Sequence, residues 1–314
     1  MKFFSQLSAV LALVGSVVAH PVFDELMEDT GFKWPVTKRQ SSLQRVQNFG
    51  ANPSNARMFI YVPQKLAEKP AIIVALHYCT GTAQAYYNGS PYARQADQKG
   101  FIVIYPESPY SGSCWDVSSR ATLTHGGGGN SNAIANMVAY TLDKYKGDAT
   151  KVFVTGTSSG GMMTNVMAAT YPDVFAAGIV YSGTAAGCFY SQSGGTAAWN
   201  NSCANGQARG TPEVWAKMVK DMYPNYDGPR PKMQIYHGSA DTTLNQNNYN
   251  ETIKQWCGVF GFDPNKPDST QANTPQSRYT TYTWGNGQLI GVYAQGVGHS
   301  VPMRGADDLK FFGL

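Results

Sequence analysis

Six short stretches of this chain are close to continuously apolar: 71–77 (AIIVALH), 100–106 (GFIVIYP), 151–156 (KVFVTG), 175–183 (FAAGIVYSG), 232–238 (KMQIYHG) and 288–296 (QLIGVYAQG). They are rich in Val and Ile, and their lack of a wet face marks strands buried on both sides, as in a parallel sheet. Helical periods fill the intervals. In NSNAIANMVAYTLDKY, residues 130–145, Ile134, Val138 and Leu142 recur every fourth residue. After residue 158, Met162, Met163, Val166 and Met167 form an apolar face, and Pro172 closes that helix. Strand and helix in alternation predict an α/β fold around a mostly parallel sheet. Ligands of such folds bind at the carboxyl ends of the strands.

One strand ends in unusual chemistry. VFVTGTSSGG, residues 152–161, passes from a buried run into Gly156-Thr157-Ser158-Ser159-Gly160. This is G-x-S-x-G, the pattern of a serine held on a strained strand-to-helix turn. A serine hydroxyl attacks a carbonyl only when a histidine takes its proton, and the histidine needs a carboxylate to fix its tautomer. In this fold class the order is Ser, then Asp or Glu, then His. Only His237 and His299 follow Ser158 in the chain. His299 sits in GVGHSVP just past the last apolar run, and Asp241 in YHGSAD lies between serine and histidine, just past another. The expected triad is therefore Ser158 as nucleophile, His299 as base and acid, and Asp241 as orienter. His237, at a strand end, reads as a packing residue.

A tetrahedral intermediate also needs two N–H donors. One is expected from Ser159, the residue after the nucleophile. The other is expected from the loop LHYCTGT (76–82), at Cys79. HGGGGN at 125–130 has the look of an oxyanion motif, but it precedes a helix, so it reads as a flexible loop outside the site.

Composition changes the picture mainly by exclusion. The net charge of +4 has no Lys/Arg stripe, which argues against nucleic acid as a partner. Charged residues are only 14% of the chain, and the many Asn, Gly, Ser, Thr and Tyr suit an uncharged polar partner such as a carbohydrate. MKFFSQLSAVLALVGSVVA (1–19) reads as a signal peptide and 20–39, ending in Lys38-Arg39, as a propeptide, leaving His20 outside a domain of residues 40–314. A secreted product with no membrane anchor is expected. Five cysteines, Cys79, Cys114, Cys188, Cys203 and Cys257, then imply two disulfides and one buried, inert thiol. They lack the ligand spacing of a zinc site, and no metal is expected. Asn88, Asn200 and Asn250 head candidate glycosylation sequons.

Taken together, LHYCTGT, Cys114-Trp115, VFVTGTSSGGMM, VFAAGIVYSG, HGSAD and GVGHSVP resemble the secreted esterases of carbohydrate esterase family 1. Among these the chain looks most like fungal acetyl xylan esterases, whose wider relatives include feruloyl esterases and polyhydroxybutyrate depolymerases. The resemblance runs through most of residues 41–314. It implies an α/β-hydrolase fold in one domain, a serine-esterase mechanism without cofactor, and acetylated xylan or xylo-oligosaccharide as the partner; a monomer is expected. It also implies the triad Ser158, Asp241 and His299, an oxyanion role for Cys79, and a Cys79–Cys114 bridge; pairing among Cys188, Cys203 and Cys257 stays open. Tyr78 departs from the family, where many relatives carry glycine, and is expected to narrow the site or re-aim the loop. Trp199, alone in the Gly/Ser/Asn-rich stretch 184–210, either packs against a xylose ring or packs the loop onto the domain. A feruloyl esterase, a serine peptidase and a catalytically silent binding protein are the alternatives on the same scaffold.

Overall fold

The computed structural model describes residues 41–314, so the signal peptide expected over 1–19 and the propeptide expected over 20–39 lie outside the described residues. The strands are β1 (Gln44–Val46), β2 (Arg57–Tyr61), β3 (Ile72–Leu76), β4 (Ile102–Glu107), β5 (Val152–Thr157), β6 (Ala177–Tyr181), β7 (Lys232–Gly238), β8 (Ser269–Ala272), β9 (Tyr279–Trp284) and β10 (Leu289–Ala294). The helices are α1 (Ala83–Gly89), α2 (Tyr92–Lys99), α3 (Asn130–Tyr145), α4 (Ser159–Thr170), α5 (Asn201–Ala204), α6 (Pro212–Met222), α7 (Asn247–Phe260) and α8 (Gly305–Phe312). Among the described residues one sheet of 10 strands is ordered β1-β2-β4-β3-β5-β6-β7-β10-β9-β8. Its centre, from β4 to β10, is parallel throughout. Those central strands are the six apolar runs of the sequence.

The reason is visible in β3. Ile72, Val74 and Leu76 enter the core on one face, with Met162, Met163 and Trp115, while Ile73 and Ala75 enter the other, with Tyr105, Phe153 and Phe311. A strand's side chains alternate between faces, so a strand covered on both sides must be apolar at every position. Each large side chain buried in this way contributes about 1.5–3 kcal/mol. The antiparallel strands β1, β2, β8 and β9 lie toward the sheet's edges, and all but β2 are half-solvated or exposed along most of their length.

Two local expectations need correction. The helix after the nucleophile is not one-faced: every residue of α4 is buried. It packs between the sheet and helices α3 and α6, which leaves no side for water. The stretch 125–130 is no flexible loop. The His125 ring stacks on Tyr223 with centroids 3.6 Å apart, its Nδ1 is 2.7 Å from Thr170 O, and Gly126 N–H donates to the Tyr171 hydroxyl. Thr170 ends α4, so this turn is tied down about 18 Å along the helix from Ser158. That distance keeps it outside the site.

The C-terminal helix is seated by a buried carboxylate. Tyr181 and Tyr92 donate to Asp308 Oδ1 and Oδ2 at 2.7 and 2.8 Å. Burial outweighs these bonds and pushes the Asp308 carboxyl up to about 6. A bridge joins Cys188 to Cys203 and closes the segment after β6 on itself. Cys257 is the free cysteine, buried in α7, and burial pushes its thiol up to about 12. A thiol so held carries almost no thiolate at neutral pH.

Candidate active site

β5 delivers Ser158 at φ 57° and ψ −120°, a conformation that L side chains rarely adopt, and α4 begins at the next residue. The turn is fixed by Ser158 N–H donating to Tyr181 O at 2.9 Å. It is also fixed by a close approach: a Cβ on Gly160 would lie 2.1 Å from Leu76 O. Only glycine lets the start of α4 sit this tightly against β3.

The side chains expected to work together are adjacent. His299 Nε2 is 2.8 Å from Ser158 Oγ, and His299 Nδ1 is 2.7 Å from Asp241 Oδ2. A carboxylate only accepts, so Nδ1 carries the proton and the Nε2 lone pair faces the hydroxyl. All three residues are buried. Asp241 Oδ1 accepts from the backbone N–H groups of Thr243 and Leu244, each at 2.9 Å. Burial would raise the Asp241 carboxyl, but contacts with His237 and His299 together outweigh it and hold the group well below the usual carboxylate range.

The loops carrying Asp241 and His299 are tied to each other. Ser239 N–H donates to Ala294 O and Ala240 N–H to Val297 O, while Ser239 Oγ accepts from Gly296 N–H at 2.7 Å. A Cβ on Gly238 would meet Val297 O at 2.2 Å and Gly298 O at 2.3 Å, so glycine is what lets the two loops meet.

Cys79 and Ser159 present backbone N–H groups without an acceptor among the described residues. The Cys79 N–H belongs to the same peptide plane as the Tyr78 carbonyl, and that carbonyl is gripped. It accepts from His77 Nδ1 at 2.7 Å and from Gly81 N–H at 3.1 Å. His77 Nε2 accepts from Ser108 N–H at 3.1 Å, which fixes the tautomer with the proton on Nδ1. Burial pulls the His77 pKa down to about 4, so the ring stays neutral. Trp115 adds a further tie, its Nε1–H donating to His77 O at 2.9 Å and its backbone N–H reaching Ser159 Oγ at 3.5 Å. The Cys79–Cys114 disulfide links this loop to the segment ending at Trp115. Tyr78 leans edge-on against Tyr86, ring centroids 6.4 Å apart.

Sequence reading missed His77 and Trp115. The only signal for them is their position beside cysteines that turn out to be bonded. His237, read as a packing residue, is indeed a buried strand-end side chain, but it also lies 3.2 Å from Asp241 Oδ2.

Trp199 is 51% exposed, its ring set edge-on to Phe189 and its Nε1–H donating to Asn201 Oδ1. Its loop is anchored on the segment after Trp115: Ala197 N–H donates to Asp116 Oδ1 and Ala198 N–H to Ser118 Oγ. Of the sequon asparagines, Asn88 and Asn250 are exposed, whereas Asn200 is half-buried, capping α5 at Cys203 N–H and donating to Cys188 O.

Comparison with known proteins bears on what such a site acts on. Residues 57–273 match the family model described as Esterase PHB depolymerase. A probable acetylxylan esterase A of Aspergillus clavatus is 66% identical over 276 residues, covering 88% of this chain and 89% of the relative. The acetylxylan esterase A of Aspergillus ficuum is 61% identical over 279 residues, 89% of this chain and 92% of the relative. The solved acetyl xylan esterase from Aspergillus awamori superposes with a TM-score of 0.86 at 61% identity, covering 87% of this chain and 99% of that one.

Proposed function

The chain belongs to the Esterase PHB depolymerase family, as a carboxylic ester hydrolase of α/β-hydrolase fold, and from that premise we propose how it removes acetyl groups from xylan. The observation that carries the mechanism is the unbroken relay of 2.8 and 2.7 Å from Ser158 Oγ through His299 to Asp241, with the N–H groups of Ser159 and of Cys79, in the loop after β3, unengaged. Ser158 Oγ attacks the acetyl carbonyl while His299 Nε2 takes its proton. The carbonyl oxygen becomes an oxyanion, which the Cys79 and Ser159 N–H groups receive. Collapse expels the sugar oxygen, which takes the proton back from His299. Water then repeats the sequence on the acetyl-enzyme and releases acetate, with Asp241 stabilising the imidazolium each time.

Acetylated xylan is the substrate that the names of the close relatives support. Action outside the cell on a plant polymer agrees with the leader read in residues 1–39, with two formed disulfides, and with the lack of any membrane-length apolar helix among the described residues. The enzyme is proposed to work there as a monomer.

Rates on acetylated xylan, a small acetyl ester, a feruloyl ester and a peptide substrate test this reading. The acetyl substrates are expected to turn over fastest; a feruloyl ester or peptide ahead of both would reassign the enzyme. Trp199→Ala belongs in the same panel. If its exposed face holds the polymer, KM on acetylated xylan rises several-fold, as removal of one aromatic interaction of about 1 kcal/mol implies, with little change on the small ester. An equal loss on both removes Trp199 from the site.

Mild reduction tests the oxyanion loop. Opening Cys79–Cys114 frees the loop that aims the Cys79 N–H, so kcat is expected to fall by about 10-fold or more before the protein melts. Full activity with thiols mapped at both positions would show that the bridge does not serve the site.

A further inference from the structure

The triad carboxylate touches two histidines, and only one of them faces the nucleophile. His237 closes β7 with no exposed surface, its Nε2 2.8 Å from Leu244 O and 3.2 Å from Asp241 Oδ2. A carbonyl oxygen only accepts, so the His237 proton is on Nε2. Its Nδ1 is buried and has no hydrogen-bond partner among the described residues, consistent with a bare lone pair. An unpaired buried N–H there would be the costlier arrangement.

The two oxygens of Asp241 are held by different kinds of donor. Oδ1 accepts two backbone N–H groups, which are part of the turn itself. Oδ2 meets two imidazoles: it accepts from His299 Nδ1 at 2.7 Å, and His237 Nε2, which donates to Leu244 O at 2.8 Å, stands 3.2 Å from it. We propose that His237 is a positioning residue of the esterase: its shared Nε2–H pins Oδ2 in the line of His299 and tempers that oxygen's hold on the His299 proton. The proposal rests on the triad reading above and deepens it.

Both effects follow from a single proton. Tied to Leu244 O at the same time, the His237 ring cannot follow Oδ2 if the carboxylate turns, so it acts as a stop. Its donation draws negative charge from the one oxygen His299 uses. Without it, that oxygen binds the Nδ1–H of His299 more strongly. The titratable groups meeting here are Asp241, from the loop after β7, and His299, from the loop after β10, with Ser158 Oγ beyond it.

His237→Phe removes the donor and His237→Gln keeps an N–H near the Nε2 position. For the Phe variant the expected result is a kcat about 10- to 100-fold lower, KM nearly unchanged, and the acid limb of the kcat/KM profile moved to higher pH. The Gln variant is expected to restore most of kcat and to return the limb toward its original place. An acid limb unmoved or moved downward in the Phe variant, with activity reduced only in proportion to folded protein, reduces His237 to a spacer and overturns the proposal. Stoichiometric labelling of Ser158 by a sulfonyl fluoride, run on wild type, shows separately whether the triad reading stands. Should the Phe variant not fold, nitrogen-15 spectra of histidine-labelled wild-type enzyme decide the matter. A proton on His237 Nε2 alone is required, and a proton on Nδ1 contradicts the account.

Discussion

Ser158→Ala is expected to give a folded enzyme whose kcat on a small acetyl ester is lower by about 10⁴- to 10⁶-fold. The substitution deletes the atom proposed to carry the acyl group and leaves the strand, the turn and α4 as they are. Alanine meets the same φ of 57° that serine already tolerates, and the backbone bond from residue 158 to Tyr181 O does not involve the side chain. What goes with the hydroxyl is its hydrogen bond to His299 Nε2. Thermal melting should therefore match wild type within a few degrees while turnover disappears. Retention of a tenth of the activity in well-folded protein would move the nucleophile elsewhere.

Asp241→Asn is the second large effect, and here the direction comes from proton placement. Asn has nearly the volume of Asp, and its Oδ1 would go to the Thr243 and Leu244 N–H groups that hold Asp241 Oδ1. Its NH₂ then faces His299 Nδ1–H and His237 Nε2–H, donor against donor. His299 relieves its clash by moving its proton to Nε2, where it points at Ser158 and cannot accept the hydroxyl proton. A kcat lower by about 10³- to 10⁴-fold is expected, with KM little changed. The carboxyl's depressed pKa sets the pH sense. Its charge supports the fold at all pH above the ordinary carboxylate value near 4, and that support is lost only as pH falls through the lower folded value. Loss of wild-type rate in mild acid is then not protonation of Asp241. Activity of Asp241→Asn within 10-fold of wild type would remove the aspartate from the relay.

What could be read in the sequence, and what could not, divides along physical lines. The central strands announced themselves because burial on both faces forces unbroken apolarity, as in Ile72–Leu76. β9, with YTTYTW half-solvated in its middle, carries no such signature, and neither does the exposed β8. Helix Asn130–Tyr145 was legible from its period, whereas the full burial of α4 depends on what surrounds it. Ser158, Asp241 and His299 were legible as an ordered set, each placed just past a strand, and the structure brings their side chains together. The partners of His77 and His237 were not legible. A lone buried histidine has no sequence mark of its own, and what each touches, Tyr78 O in one case and Asp241 in the other, is decided by tertiary packing. The Cys188–Cys203 pairing was likewise open until the loop after β6 could be seen to fold back.

The central claim is that one serine carries the acyl group, and active-site labelling with peptide mapping addresses it most directly. Wild-type enzyme inactivated by a serine-directed sulfonyl fluoride should carry one reagent per molecule, on the peptide that contains Ser158, in step with the loss of esterase activity. Asp241→Asn should label at the same residue, only more slowly. Inactivation that proceeds with Ser158 unmodified, or with the reagent on another serine, would contradict the account.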